Sequence, residues 1–270
     1  MGQGAKRIAF AGMAAIAALG LSDAARAANG AYAVDAADIG EAGSCKVESW
    51  LQAATNTDFT AVANPFCVVN IFRPVELSLQ TVTSRSDGDW STSIAPKAKW
   101  NIAPTRIGRL GVAFSAGGVL DAMTGENLTA FAVVPATYRL TETTRINLNA
   151  GWLWDRTADR HYLIYGLGFD WKLTETLQWT IETFGQAGTS DTPSVVRPRF
   201  QAGVRYRPNE IFSVDVIYGR NISGEMPTGL PLARRSGFPY PVANPIITGR
   251  VTCELPAQAA AREGASARAT

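Results

Sequence analysis

The sequence predicts an all-β chain, folded as a closed antiparallel transmembrane β-barrel of about 12 strands. Three observations predict it. Runs of about ten residues alternate apolar and polar side chains with period two, the mark of strands with two unlike faces. Tight turns between pairs of such runs recur 31 to 38 residues apart. The strands that come down to these turns end repeatedly on an aromatic residue of the apolar face: Trp100, Tyr138, Trp171 and Tyr206.

Composition removes the competing classes. The 270 residues are 46% hydrophobic and only 18% charged, where soluble domains carry about 25% charge. A membrane-spanning helix needs about 18 consecutive apolar residues, and the longest run, Ile8 to Leu21, has fourteen. Net charge is +2 with no basic block, so no nucleic-acid partner is expected. One histidine and no Cys-x-x-Cys rule out H-E-x-x-H and zinc-ribbon sites. No metal, cofactor or catalytic residue is expected.

The elements follow in order. Lys6 and Arg7, the apolar run 8–21 and Ala25-Arg26-Ala27 form the n-region, core and A-x-A site of a secretory signal peptide over 1–27. A buried amphipathic helix is the alternative, and the A-x-A site speaks against it. The mature chain then begins at Ala28 in an oxidising compartment. Residues 28–43 are expected as an N-terminal periplasmic segment, 44–255 as the barrel and 256–270 as a disordered Ala-rich tail. Cys45 and Cys67 flank a midpoint with turn chemistry, Thr55-Asn56-Thr57-Asp58. A hairpin there sets the two cysteines opposite each other, consistent with a disulfide. Three unpaired thiols, or pairing of Cys253 with Cys45, are the other readings.

Five turn phrases follow: Val69 to Pro74, Trp100 to Thr105, Tyr138 to Thr143, Trp171 to Thr176 and Tyr206 to Glu210. The strands between them alternate. Leu163, Tyr165, Leu167, Phe169 and Trp171 oppose Gly166, Gly168 and Asp170, and Phe200, Ala202, Val204 and Tyr206 oppose Arg199, Gln201 and Arg205. Five turns imply ten strands. A first near Ser44 to Ala53 and a last near Ile246 to Leu255 make twelve, an even number with both termini on the periplasmic side. The opposite connections read as longer: 84–89, 121–127, 155–160, 185–197 and 219–245. Trp152 and Trp154 extend the aromatic girdle to that rim. A soluble β-sandwich would alternate too, but it has no reason to end successive strands on outward aromatics.

These phrases resemble Gram-negative outer-membrane β-barrels over nearly the whole mature chain. W-K-L-T-E-T-L-Q-W-T-I-E-T-F (Trp171 to Phe184) and Y-R-P-N-E-I-F-S-V-D-V-I-Y (Tyr206 to Tyr218) look like outer-membrane transporters, including those linked to phenol meta-cleavage pathways. The resemblance implies a bacterial outer-membrane location and transport of a small solute. It carries over no substrate-binding residue. Such barrels usually end on an aromatic residue, whereas the last strand here ends near Glu254-Leu255.

Charge on the lipid face costs about 2–4 kcal/mol per Arg or Lys near the midplane, so the charged parity belongs inside. The lumen candidates are Lys97, Lys99, Arg109, Arg145, Arg199, Arg205 and Arg250 with Glu76, Asp170, Glu182 and Asp215. Seven bases against four acids leave an excess of three positive charges. Cross-lumen salt bridges filling a narrow barrel are one reading, favoured by the strand number. A polar pore with mild anion preference is the other. The function expected is a passive pore or transporter for small anionic or aromatic solutes, with outer-membrane lipids and the solute as partners. The alternatives are a lipid hydrolase using His161 at the rim, which lacks a G-x-S-x-G elbow, and a structural barrel without transport. The proline-rich 219–245 loop folds over the mouth in one reading and is a surface loop in another.

Overall fold

The computed structural model describes residues 32–54, 58–86, 88–188, 198–209 and 211–222, with the backbone of 246–255. The expected signal peptide and its cleavage site, residues 55–57, most of the 185–197 connection, residues 223–245 and the expected Ala-rich tail lie outside the described residues. So do the side chains of Arg250 and Cys253.

Eleven strands build an antiparallel barrel wall. They are β1 (Cys45–Ala54), β2 (Phe59–Asn70), β3 (Pro74–Ser86), β4 (Asp89–Ala103), β5 (Leu110–Asp121), β6 (Asn127–Arg139), β7 (Thr144–Asp155), β8 (Arg160–Lys172), β9 (Leu177–Ala187), β10 (Arg199–Tyr206) and β11 (Phe212–Asn221). Each pairs with its neighbour in sequence. A further strand, β12 (Ile246–Leu255), has register partners on both β11 (Phe212↔Cys253) and β1 (Cys45↔Leu255).

Alternation decides which side each residue faces. In β8 the odd positions from His161 to Trp171 are exposed, while Tyr162, Gly166, Gly168 and Asp170 are buried. Leu167 is 47% exposed and Asp170 only 2%. This inverts a soluble protein: the apolar face is outside and the charged face inside. Exposed apolar residues recur around the wall, including Leu79, Leu148, Leu163, Trp179 and Val216. An apolar band of that extent on the outside of a barrel is a lipid-facing surface.

Side-chain oxygens set the turns of one rim. Thr141 Oγ1 accepts from the N–H groups of Thr143 and Thr144 (3.2 and 3.0 Å), and Thr174 Oγ1 from those of Thr176 and Leu177 (3.3 and 3.0 Å). Asn209 Oδ1 does the same for Ile211 and Phe212 (3.0 and 2.8 Å). These are the local turns that Thr and Asn favour. Cys45 and Cys67 are register partners and are joined by a disulfide, as the hairpin spacing predicts.

Three connections differ from expectation. Residues 84–89 are not a loop, because β3 runs to Ser86 and β4 resumes at Asp89. Gly88, at φ +92°, supplies the left-handed turn position. The phrase after Trp100 is not a tight turn. Pro104 offers no N–H to the ladder and a register shift lies between Asn101 and Ala103, so residues 104–109 fold over an Arg106↔Arg109 bridge. β9 continues to Ala187, three residues past its expected end.

The segment before β1 gives the largest difference. Expected in the periplasm, it runs inside the barrel from Tyr32 to Ile39. Val34, Ala36 and Ala37 are fully buried. Tyr32 joins Trp50, Val62, Val82 and Ile217 in an apolar cluster.

Candidate functional site

The site is the barrel interior, assembled by register. Arg145 and Asp170 are cross-strand partners on β7 and β8, and Arg145 Nε meets Asp170 Oδ2 at 2.6 Å. Asp170 also accepts from Asn147 Nδ2 (3.0 Å) and Thr180 Oγ1 (2.6 Å). Arg205 and Asp215 pair across β10 and β11 at 2.7 Å. Gln201 donates to its partner Glu182 at 2.7 Å. A buried carboxylate is costly unless it is paired and hydrogen-bonded; Asp170 and Asp215 are each paired with an arginine, and Glu182 is held by hydrogen bonds.

Onto this wall the interior segment is laid by its main chain. Ala33 N–H donates to Glu182 Oε2 (3.0 Å) and Ala37 N–H to Thr137 Oγ1 (2.8 Å). Asn101 Nδ2 donates to Ala37 O (2.8 Å). Lys99 Nζ, fully buried, donates to the carbonyls of Ala36 (2.5 Å) and Asp38 (3.0 Å). Asn149, its amide assigned by this pattern, brackets Asp35: it accepts from the N–H at 2.7 Å and donates to the carbonyl at 2.8 Å. A buried strap with no strand partner must find its hydrogen bonds among side chains, and polar residues of β4, β6, β7 and β9 supply them.

The segment's two carboxylates carry the charge pairing. Asp35 Oδ2 sits 3.2 Å from Lys97 Nζ. Asp38 Oδ2 lies 3.3 Å from Arg145 Nη1 and 3.5 Å from Arg139 Nη2. Burial pushes the Asp35 carboxyl up, but the Lys97 and Lys99 ammonium groups outweigh it and hold it below its ordinary range. Tyr32 donates to Asp215 Oδ1 (3.3 Å), and the Arg205 guanidinium lies 5.6 Å from its ring.

Glycines make the space. A Cβ on Gly203 would stand 2.5 Å from the Tyr32 hydroxyl oxygen, and one on Gly166 would stand 2.7 Å from Val34 Cγ2. Any larger residue at these inward positions collides with the segment. Beside it lies a cavity of about 210 Å³, bordered by Tyr32, Asp35, Asn64, Gln80, Lys97 and Gln186.

The candidates from sequence distribute as follows. Glu76, Lys99, Asp170, Glu182, Arg199, Arg205 and Asp215 are buried on the inner face. Lys97 and Arg145 face inward and hold the segment. Arg109 is not in the lumen: it is exposed in the 104–109 connection, because β5 begins one residue later. Of the aromatic residues, Tyr138, Trp152, Trp171 and Tyr206 are exposed outward. Trp100 is half-buried against Phe114, and Trp154 Nε1 donates to Asp159 Oδ1 (3.2 Å). His161 stacks on Trp152 and Trp154, with ring centres 5.5 and 6.2 Å away, and is part of that outer belt. Sequence reasoning missed Asn101, Thr137, Asn149, Arg139 and the segment itself. Its one signal was the inward glycines of β8 and β10, which leave room that nothing on the strands fills.

A family model described as uncharacterised conserved protein UCP029691 matches residues 15–230. Among solved structures, the chain is similar to the NanC porin in a rhombohedral crystal form: 6% identity, TM-score 0.55, over 77% of this chain and 97% of that chain. It is also similar to the KdgM porin: 10% identity, TM-score 0.50, over 79% and 98%. At such identities the likeness is one of fold, the porin-type barrel. No curated protein matches by sequence.

Proposed function

This chain belongs to the family described as uncharacterised conserved protein UCP029691, and we propose that it is a bacterial outer-membrane channel for small solutes. One observation carries the reading: the wall is apolar outside and charged inside, the reverse of a soluble barrel. The porin fold and the cavity beside the interior segment support it. The register of β12 along both β11 and β1 supports a closed barrel of twelve strands. The tight turns and the base of the interior segment face the periplasm. The solutes are small anions or aromatic acids, a range drawn from the basic residues of the interior and from the resemblance of the turn phrases to those of phenol-pathway transporters. Transport here requires no bond to be made or broken in the solute.

The interior segment also favours a second reading, a closed structural barrel. Planar-bilayer recording of the refolded chain separates them. The channel reading expects discrete conductance steps from the wild type or from Asp35→Asn/Asp38→Asn. It further expects Lys97→Glu to shift the ion preference toward cations. Silence in both proteins leaves the structural barrel.

A further inference from the structure

Asp35 and Asp38 occupy a cradle of four cations drawn from three strands: Lys97 and Lys99 of β4, Arg139 of β6 and Arg145 of β7. We propose that the cradle is the solute site of the channel, that the segment 32–39 is its tethered occupant, and that the solutes which displace the segment are elongated molecules with a carboxylate at each end. This rests on the channel reading.

Three features point to displacement rather than permanent filling. Among the described residues, backbone pairing anchors the segment at its base alone. Gly43 N–H donates to Val68 O (2.7 Å), Val68 N–H to Ser44 O (2.9 Å), and the Cys45–Cys67 disulfide clamps the next residue. Beyond this clamp, among the described residues, no ladder bond ties residues 32–39 to a strand. Its contacts are side-chain hydrogen bonds and ion pairs, which a solute carrying the same groups can replace. The tether supplies an effective concentration on the order of millimolar, so a free solute competes at comparable concentrations.

The contacts also define the solute. Two carboxylates three residues apart span at most about 10 Å of chain. Each meets its own cations: Asp35 meets Lys97, and Asp38 meets Arg139 and Arg145. Glu76 is the register partner of Lys99 and Asp170 that of Arg145, whereas Lys97 and Arg139 face no acid in register. A dianion restores the balance that the segment provides, whereas a monoanion satisfies one end alone. Asp35 and Lys97 both border the 210 Å³ cavity. A solute arriving there meets the Lys97 end of the cradle first.

The test reads where the segment is, independently of conductance. In refolded full-length chain carrying Cys253→Ser, Val34→Cys introduces one thiol at a position with no solvent exposure. Its rate of reaction with N-ethylmaleimide reports undocking. Suberate at millimolar concentration is expected to raise the rate at least tenfold, and octanoate, of equal length with one carboxylate, to leave it unchanged. Asp35→Asn/Asp38→Asn should raise it without any ligand. Equal acceleration by suberate and octanoate, or by neither, overturns the dicarboxylate assignment. An unaltered rate in the double variant overturns the idea of an exchangeable occupant. A silent bilayer with suberate-dependent labelling would sink the channel reading and leave the dicarboxylate site standing.

Discussion

Asp35 shows how a single group ties the interior together. Its carboxyl titrates below its ordinary value of 3.8, because two lysines outweigh its burial. A depressed carboxyl contributes stability that is fully present above the unfolded value and lost as pH falls through the folded one. The deficit of Asp35→Asn in denaturant midpoint should therefore be constant from about pH 5 to 8 and shrink only below about pH 4. A deficit that instead vanished near neutrality would mean that the lysines do not govern this group. Gly203 makes a steric counterpart. Valine there places its Cβ 2.5 Å from the Tyr32 hydroxyl oxygen, and overpacking of this kind costs about 1–3 kcal/mol. Gly203→Val should accelerate labelling of Val34→Cys about tenfold while leaving the β-sheet circular dichroism unchanged. At this scale the sequence was partly legible. Parity placed Asp170 and Arg205 inside, and register made their partners Arg145 and Asp215. Arg109 failed because a one-residue error in where β5 begins moves a side chain out of the lumen.

At the scale of the element, turn chemistry repeats. Leu-Thr-Glu-Thr occurs at 140–143 and 173–176, and both Thr141 and Thr174 cap the two N–H groups that reopen the next strand. The hairpin of β1 and β2 carries the covalent clamp. Closing a loop of about 22 residues contributes about 3 kcal/mol in the chain-entropy model. Cys45→Ser/Cys67→Ser should lose stability of that order in urea titration, and a loss below about 1 kcal/mol would show that the barrel already restrains the hairpin. The strands were legible because alternation survives without tertiary context. The interior segment was not, for a physical reason: beside the side chains of Tyr32, Asp35 and Asp38, it is recognised through main-chain N–H and C=O groups, which every sequence possesses. Neither period two nor period 3.6 marks it. The Asp-Gly link after β3 was legible in principle, since it carries the residues of a two-residue hairpin, but its place on the rim of longer connections masked it.

For the whole molecule, the inverted surface makes the firmest prediction. Leu167 lies in the middle of β8 with 47% of its surface exposed. In a water-soluble barrel, arginine at such a position would change stability by no more than about 0.5 kcal/mol. Facing lipid near the midplane, it should cost about 2–4 kcal/mol, measured by urea titration in lipid vesicles. A neutral result would remove the membrane from the account.

The interior segment has a consequence for the order in which the molecule comes together. It is made before every residue it touches. Its described partners run from Trp50 to Ile217, and Tyr32 reaches an aspartate 183 positions downstream. Contacts of such long range come late, because the chain between them has to be organised first. The earliest part of the visible chain is thus the last to find its place, waiting beside β1 while the wall assembles around the space it will fill.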